Sequence, residues 1–334
     1  MKIGVVGCGK VSGYGHLPAI HASPGWELVG IADADPVRLA QAQARYDVVQ
    51  ATTDYRELLD VGGVDALVVA THLDTHCEIA IHALERGVHV LCEKPMAATV
   101  AECRAMVEAA RRNDRLLCVN FNTRCGPVYR RMKQLIDEGA VGGVRVVRIV
   151  YNWSAHQWQP QERLDHFMAG GGPIVDSAVH FFDGVRWFTG REFVRIDANG
   201  LVLPPYDHPQ HGIASCLLDG GGIALVEAGW VYTKRTLDQG SFYQITVIGD
   251  DGVLEHDTTT EMLRIWTLAD TRQERIQDTG KHFEVTYKAF AESIERGDYG
   301  ELASGYDGLK ATEAAFAALA STKRTIRENT QRQP

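Results

Sequence analysis

The stretch Val88-His89-Val90-Leu91-Cys92-Glu93-Lys94-Pro95-Met96 decides how the chain folds. Val88, Val90 and Leu91 suit a buried strand. Pro95 has no N–H to give a neighbouring strand, so the run cannot continue as an inner member of a sheet. It therefore delivers an acid and a base, Glu93 and Lys94, to its carboxyl end. In open parallel sheets ligands bind beyond that end of the strands, which makes Lys94 a candidate reactive group. Taken alone, the same pair reads as solvated neighbours in a surface turn, and the surrounding chain has to decide.

Upstream, Lys2 to Val6 is a short apolar strand followed by Gly7-Cys8-Gly9-Lys10-Val11-Ser12-Gly13 and a helical segment, Leu17 to Ala22. Gly-x-Gly directly after a strand lets backbone approach a pyrophosphate and sets helix N-terminal amides against it. Gly7, Gly9, Lys10 and Val11 are thus cofactor-binding candidates, although the third glycine position is taken by Ser12. Trp26 to Ala32 reads as a second strand ending at Asp33, 24 residues after Gly9, near the spacing of about 20 at which an acid binds an adenosine ribose. A carboxylate there repels a 2′-phosphate, and Ala34 supplies no arginine to offset it, so NAD is expected over NADP. The competing reading makes Asp33 a turn or cap residue before Asp35-Pro36. Helices at Arg38–Tyr46, Asp54–Leu59, His76–Arg86 and Val100–Arg112 alternate with strands at Ala66–Ala70, Val88 onward and Leu116–Phe121. This alternation predicts an α/β domain over residues 1–122, a doubly wound parallel sheet of Rossmann type that binds the dinucleotide alone.

Residues 123–334 predict a separate α+β domain for substrate binding and oligomerisation. After a helix at Val128–Asp137, long strands follow at Val144–Trp153, Phe193–Leu203, Ile213–Leu218, Ile223–Val231, Phe242–Ile248 and Met262–Leu268. Turn signals such as Asp219-Gly220-Gly221-Gly222 separate them, as a large, mostly antiparallel sheet requires. One helix, Ile174–Phe188, interrupts the series after Gly170-Gly171-Gly172-Pro173. Asp176, His180, Asp183 and Trp187 fall on one stripe of it, and the remaining surface is apolar. The stripe must face a partner, a ligand or water. The spacing of Asp176 and His180 allows a carboxylate to orient an imidazole, and equally a plain intrahelical pair. The tail from Ser321 to Pro334 is polar and reads as frayed.

At 334 residues, two domains are expected. A net charge of −9 carries no electrostatic footprint for nucleic acid or an anionic membrane. No apolar run is long enough to span a bilayer, Met1-Lys2 leads into a strand rather than a signal peptide, and the seven cysteines form no Cys-x-x-Cys pair. A cytoplasmic enzyme with reduced thiols is expected. The pairs His72/His76 and His208/His211 lack the accompanying glutamate or cysteines of metal sites, so no metal is expected.

With these residues quoted, the chain resembles the Gfo/Idh/MocA family, named for glucose-fructose oxidoreductase, inositol dehydrogenase and a rhizopine-catabolism protein. The glycine loop with His16-Leu17-Pro18-Ala19, then Asp33, Thr71 to His76, Glu93-Lys94-Pro95, and Gly171-Gly172 through Asp176 to His180, stand in that family's order. The resemblance implies that Thr71, His76 and Glu93 join the glycine loop and Asp33 at the cofactor. It also implies that Lys94, Asp176 and His180 surround the reacting carbon. Where the family usually has Thr-Pro-Asn, this chain has Thr71-His72-Leu73. The implied activity is NAD(P)-dependent hydride transfer at a secondary alcohol of a sugar, polyol or cyclitol. His180 or Lys94 would serve as base with the other as donor, and Trp158 and Arg163 as further substrate contacts. Two other outcomes are open: a redox-neutral, sugar-modifying or glycoside-cleaving enzyme that keeps NAD bound, and a noncatalytic NAD-binding regulator. A broad sheet with one uncovered face favours a homo-oligomer, dimer or tetramer.

Overall fold

A computed structural model describes residues 1–60, 63–153, 161–230, 241–278 and 280–331, with side chains as far as 323. Its contacts divide the chain into two units, Met1–Cys125 with Gly280–Thr312, and Gly126–Thr279 with Glu313 onward. The border at Cys125 lies three residues from the expected one. The return of Gly280–Thr312 to the first unit departs from the expected division, which gave everything after residue 122 to the second.

The first unit holds six parallel strands: β1 (Lys2–Val6), β2 (Glu27–Ala32), β3 (Gln50–Thr52), β4 (Ala66–Val69), β5 (His89–Cys92) and β6 (Leu117–Val119). Their order is β6-β5-β4-β1-β2-β3, extended beyond β6 by the antiparallel pair Ala303–Ser304. The chain thus reverses its direction of winding between β1 and β4, the point where a doubly wound sheet opens a crevice. β4 is wholly buried, as a strand covered on both faces must be. Helix Phe283–Arg296 supplies Phe283, Tyr287 and Phe290 to the same core as Ile3, Leu17, Ile31 and Leu91. Trp26 fixes that helix, stacking on Phe290 at 5.6 Å and donating Nε1–H to the Tyr287 carbonyl at 2.9 Å.

In the second unit β7 (Val144–Asn152), β8 (Phe193–Leu201), β9 (His211–Leu218), β10 (Ile223–Gly229), β11 (Phe242–Gly249), β12 (Gly252–Asp257), β13 (Met262–Thr267) and β14 (Thr271–Arg275) form one sheet. The order is β14-β13-β12-β11-β7-β10-β9-β8, antiparallel except where β7 meets β10. Alternation along the strands buries Ala214, Cys216, Ala224, Val226, Ile245 and Val247 on one face. The opposite face leaves Ile213, Leu217 and Ile223 between 40% and 48% exposed.

The expected single helix at Ile174–Phe188 is two, Gly172–Asp176 and Ala178–Thr189, meeting at Ser177. Ser177 makes polar contacts of its own, Oγ–H to Asp176 Oδ2 at 3.4 Å and Trp230 Nε1–H to Oγ at 3.4 Å, a local alternative to helix bonding that serine readily adopts. Where a frayed tail was expected from Ser321, helix Gly305–Gln331 continues as far as Gln331, with Ser321 and Thr322 buried; the last three residues lie outside the described ones. Among the described residues no helix is long and apolar enough to cross a membrane. All seven cysteines are free thiols.

Candidate functional site

Gly7 ends β1 at φ +95°, and a Cβ there would stand 2.4 Å from the Ala70 carbonyl oxygen. Only glycine fits, because backbone from the end of β4 closes against it. Ser12 is fully buried and its hydroxyl donates to the Gly7 carbonyl, so the residue in the third fingerprint position ties the loop together. A Cβ on Gly9 would meet nothing within 4 Å. The loop is therefore tight at Gly7 and open at Gly9, the arrangement a pyrophosphate requires. Lys10 is exposed and Val11 partly buried at the start of the helix that follows.

Asp33 receives two backbone N–H groups, Cys8 on Oδ2 at 2.7 Å and Asp35 on Oδ1 at 2.8 Å. The competing reading made Asp33 a turn or cap residue; its bond from the Asp35 N–H is a turn contact, while the helix cap is Asp35, whose Oδ1 accepts from Val37 and Arg38 N–H. Asp33 thus joins the ends of β1 and β2, and each of its oxygens keeps a lone pair for a ribose hydroxyl. No arginine was expected beside it, yet Arg38 Nε lies 3.8 Å from Asp33 Oδ1 and 2.9 Å from Asp35 Oδ2. Two carboxylates share that one guanidinium, and the corner stays net negative. Burial first, then the Asp33 charge, push the neighbouring Cys8 thiol up to about 12, which keeps it protonated and unreactive.

Thr71 lies partly buried at the end of β4, where its hydroxyl accepts from Thr75 Oγ1 at 2.8 Å. His76 is only 2% exposed, and its ring nitrogens face the Thr71 carbonyl at 3.3 Å and the Pro95 carbonyl at 3.1 Å. The ring lies between the Thr71 turn and the Lys94-Pro95 turn, and in its neutral form it donates its single N–H to one of the two carbonyls. Burial holds its imidazole below the ordinary value despite the Thr71 carbonyl and the Glu93 charge, so it stays neutral in that place.

At the end of β5, Glu93 Oε1 accepts from Asn120 Nδ2 at 2.6 Å and lies 2.9 Å from His16 Nε2, while Oε2 accepts the Lys94 N–H at 3.2 Å. Burial pushes this carboxyl up, but the hydrogen bonds and charge from His16, with Asn120 and Lys94, outweigh it and hold the group at about 2. Lys94 is partly exposed beyond it. His16, Asn120 and Tyr287 were not singled out by the sequence reading as site residues. The signal for the first was its place at the head of His16-Leu17-Pro18-Ala19, which was quoted for the family resemblance with no role attached.

In the second unit Asp176 and His180 are both partly buried, one on each side of the break at Ser177, and the His180 N–H closes a turn on the Ser177 carbonyl at 3.2 Å. The Tyr151 phenol is pushed up by burial and then by the Asp176 charge. Asp183, expected on the same stripe, is fully buried. The Arg163 guanidinium stacks over Phe167 at 5.0 Å, and Trp158 lies outside the described residues. Among the described residues no group of three or more His, Cys, Asp or Glu side chains could hold a metal ion.

Comparison with known proteins bears on both units. Residues 1–121 match the oxidoreductase family with an NAD-binding Rossmann fold, and residues 129–255 match the GFO/IDH/MocA C-terminal domain. The chain is 26% identical over 340 residues to the myo-inositol 2-dehydrogenase of Thermotoga maritima, covering 98% of each. It is 34% identical over 228 residues to the levoglucosan dehydrogenase of Pseudarthrobacter phenanthrenivorans, covering 65% of this chain and 58% of that protein. The solved levoglucosan dehydrogenase complex with NADH superposes with a TM-score of 0.85 at 24% identity, covering 97% of both chains, and shares the fold.

Proposed function

The chain belongs to the Gfo/Idh/MocA family of NAD-binding oxidoreductases, and on that premise we propose that it oxidises or reduces a secondary alcohol of a sugar, polyol or cyclitol with NAD. The observation that supports this best is the row of groups at the carboxyl ends of β1, β2 and β5: the open Gly9, the doubly tied Asp33, and Glu93 with Lys94. These residues fit a dinucleotide laid across the crevice where winding reverses. Gly7 and Gly9 would admit the pyrophosphate, Asp33 the adenosine ribose, and Glu93 the second ribose. Nicotinamide, when bound, supplies the hydride acceptor. On our reading His180 takes the hydroxyl proton, Asp176 orients His180 or the substrate, and the Lys94 ammonium stabilises the developing alkoxide. Base and donor are exchanged if Lys94 is the neutral partner. A pH profile of kcat/KM that loses a limb in His180→Ala separates the two. Inositols and levoglucosan head the substrate panel because they are the substrates named for similar proteins. Reduced nicotinamide formed from NAD with any of them is the expected result. Absence of turnover over a broad polyol panel would overturn the proposal.

NAD is expected to bind at least tenfold more tightly than NADP, because a 2′-phosphate would meet Asp33 and Asp35 with Arg38 already shared between them. Asp33→Ser should narrow the difference. Titration of the unmodified protein with both dinucleotides checks this, and equal affinity contradicts it.

The apolar row Ile213, Leu217 and Ile223 on the open sheet face supports a dimer or tetramer in which sheets pack face to face. Sedimentation should show a species heavier than the 36.8 kDa monomer. Leu217→Asp with Ile223→Asp should move it to the monomer position.

A further inference from the structure

Resting on the reading of the first unit as a nicotinamide dinucleotide site, we propose that His16 and Tyr287 are positioning residues that hold Glu93 as a fixed, oriented carboxylate for the second ribose. Crevice geometry assigns the ligand: with Asp33 after β2 and the glycine loop after β1, a dinucleotide crossing the reversal point brings its second nucleoside over β4 and β5, where Glu93 stands. Beneath Glu93 lies a fully buried chain of polar atoms. His16 Nε2 is 2.9 Å from Glu93 Oε1 and its Nδ1 is 2.7 Å from the Tyr287 hydroxyl. Both His16 and Tyr287 are 0% exposed.

Only one proton arrangement satisfies every atom with a neutral imidazole. A carboxylate can only accept, so the proton sits on Nε2; Nδ1 is then an acceptor and receives the Tyr287 O–H. The tyrosine thus selects the tautomer, and the tautomer supplies a donor to Glu93. Together with Asn120 Nδ2 and the Lys94 N–H this gives Glu93 three donors, two on Oε1 and one on Oε2. Oε2 keeps a lone pair for a ligand hydroxyl.

Local chain geometry is built for this contact. The helix after the glycine loop widens into a π-turn over Ser12–His16, where the Leu17 N–H reaches the Ser12 carbonyl. Pro18 follows, which has no N–H for the Tyr14 carbonyl and would crowd it in a regular turn. Gly15 lets Phe283 close in, since a Cβ there would lie 2.5 Å from that ring, and Phe283 packs edge-on against His16 at 4.8 Å. Widened turns of this kind recur at functional sites.

The test combines a spectroscopic and a binding arm on the full chain. Nitrogen-15 histidine spectra at a pH where the ring is neutral should show His16 as the Nε2–H tautomer, and Tyr287→Phe, which keeps the ring and removes only the hydroxyl, should introduce the other tautomer. NAD+ affinity of the unmodified protein should be flat from about pH 5.5 to 8.5, because Glu93 stays a carboxylate throughout. His16→Leu should weaken NAD+ binding about tenfold at neutral pH, the scale of one lost charge-assisted hydrogen bond. It should also add an acid limb, because a carboxyl deprived of its donor takes up a proton at higher pH than one whose charged form is stabilised. His16→Gln, which places an amide donor at a similar distance, should restore most of the affinity and flatten the profile. An Nδ1–H tautomer in the unmodified protein, or a folded His16→Leu protein with unchanged and pH-independent NAD+ affinity, overturns the inference. If the unmodified protein binds no nicotinamide dinucleotide, the functional reading itself falls, and the ligand half of this inference with it.

Discussion

Lys94→Ala and His180→Ala are each expected to lower kcat by about two orders of magnitude or more while NAD affinity stays within a few fold. Removing a general base or a charge that stabilises a developing alkoxide acts on the transition state and leaves ground-state binding nearly intact. Asp176→Ala should be milder if its part is orientation. Steady-state kinetics beside cofactor titration, with folding verified by circular dichroism, check the result. Near-normal turnover in both alanine proteins would return the Asp176–His180 segment to a purely structural role.

Gly7→Ala is expected to be the most disruptive single methyl group in the first unit. The new Cβ would sit 2.4 Å from the Ala70 oxygen and 2.9 Å from the Thr71 nitrogen, and both are backbone atoms that no rotamer change can move aside. Added to the cost of φ +95° for an L residue, this should lower stability by about 2–4 kcal/mol. NAD affinity should fall by an order of magnitude or more as the loop and the end of β4 are forced apart. Denaturant titration and calorimetric binding measure the two effects. Gly9→Ala serves as control, since its Cβ meets no protein atom and its stability should change little while NAD binding suffers.

Five of the six parallel strands were legible because they are short apolar runs, and the structure keeps them within a residue or two: Glu27–Ala32 for Trp26–Ala32, His89–Cys92 for the Val88 run; the sixth, Gln50–Thr52, has no apolar run and was not read. Helix Val100–Arg112 came out as read, capped by Thr99 with Glu102 returning to it. Less legible were elements whose pattern is set by tertiary partners. β12 mixes Glu255 and a fully buried His256 in six residues, so alternation alone does not mark it as a sheet strand. The break at Ser177 was hidden because nothing in the sequence says that Trp230 will reach its hydroxyl. Asp33 shows the converse: its place was legible, but its bonds to the Cys8 and Asp35 amides depend on two strand ends meeting. The His16–Glu93–Tyr287 chain joins residues 77 and 271 positions apart, a separation that no local pattern spans.

The return of Gly280–Thr312 to the first unit has a consequence for how the protein is made. Synthesis proceeds from the N-terminus, yet the parallel sheet takes its outermost pair, Ala303–Ser304, and the aromatic wedge of Phe283, Tyr287 and Phe290 from residues beyond 280. Until those residues leave the ribosome, Ile3, Leu17 and Trp26 lack the surface that covers them, and Glu93 lacks the histidine geometry that Tyr287 sets. The second unit is completed late as well: its strands all lie between Val144 and Arg275, but it also takes in the chain from Glu313 onward, where Ser321 Oγ accepts the Ala198 N–H of β8 at 2.9 Å. Each unit is therefore discontinuous in the chain and is completed by residues beyond 280. A chain terminated near residue 280 would carry every residue of the glycine loop without the Phe283, Tyr287 and Phe290 side chains that pack with Ile3, Leu17 and Trp26.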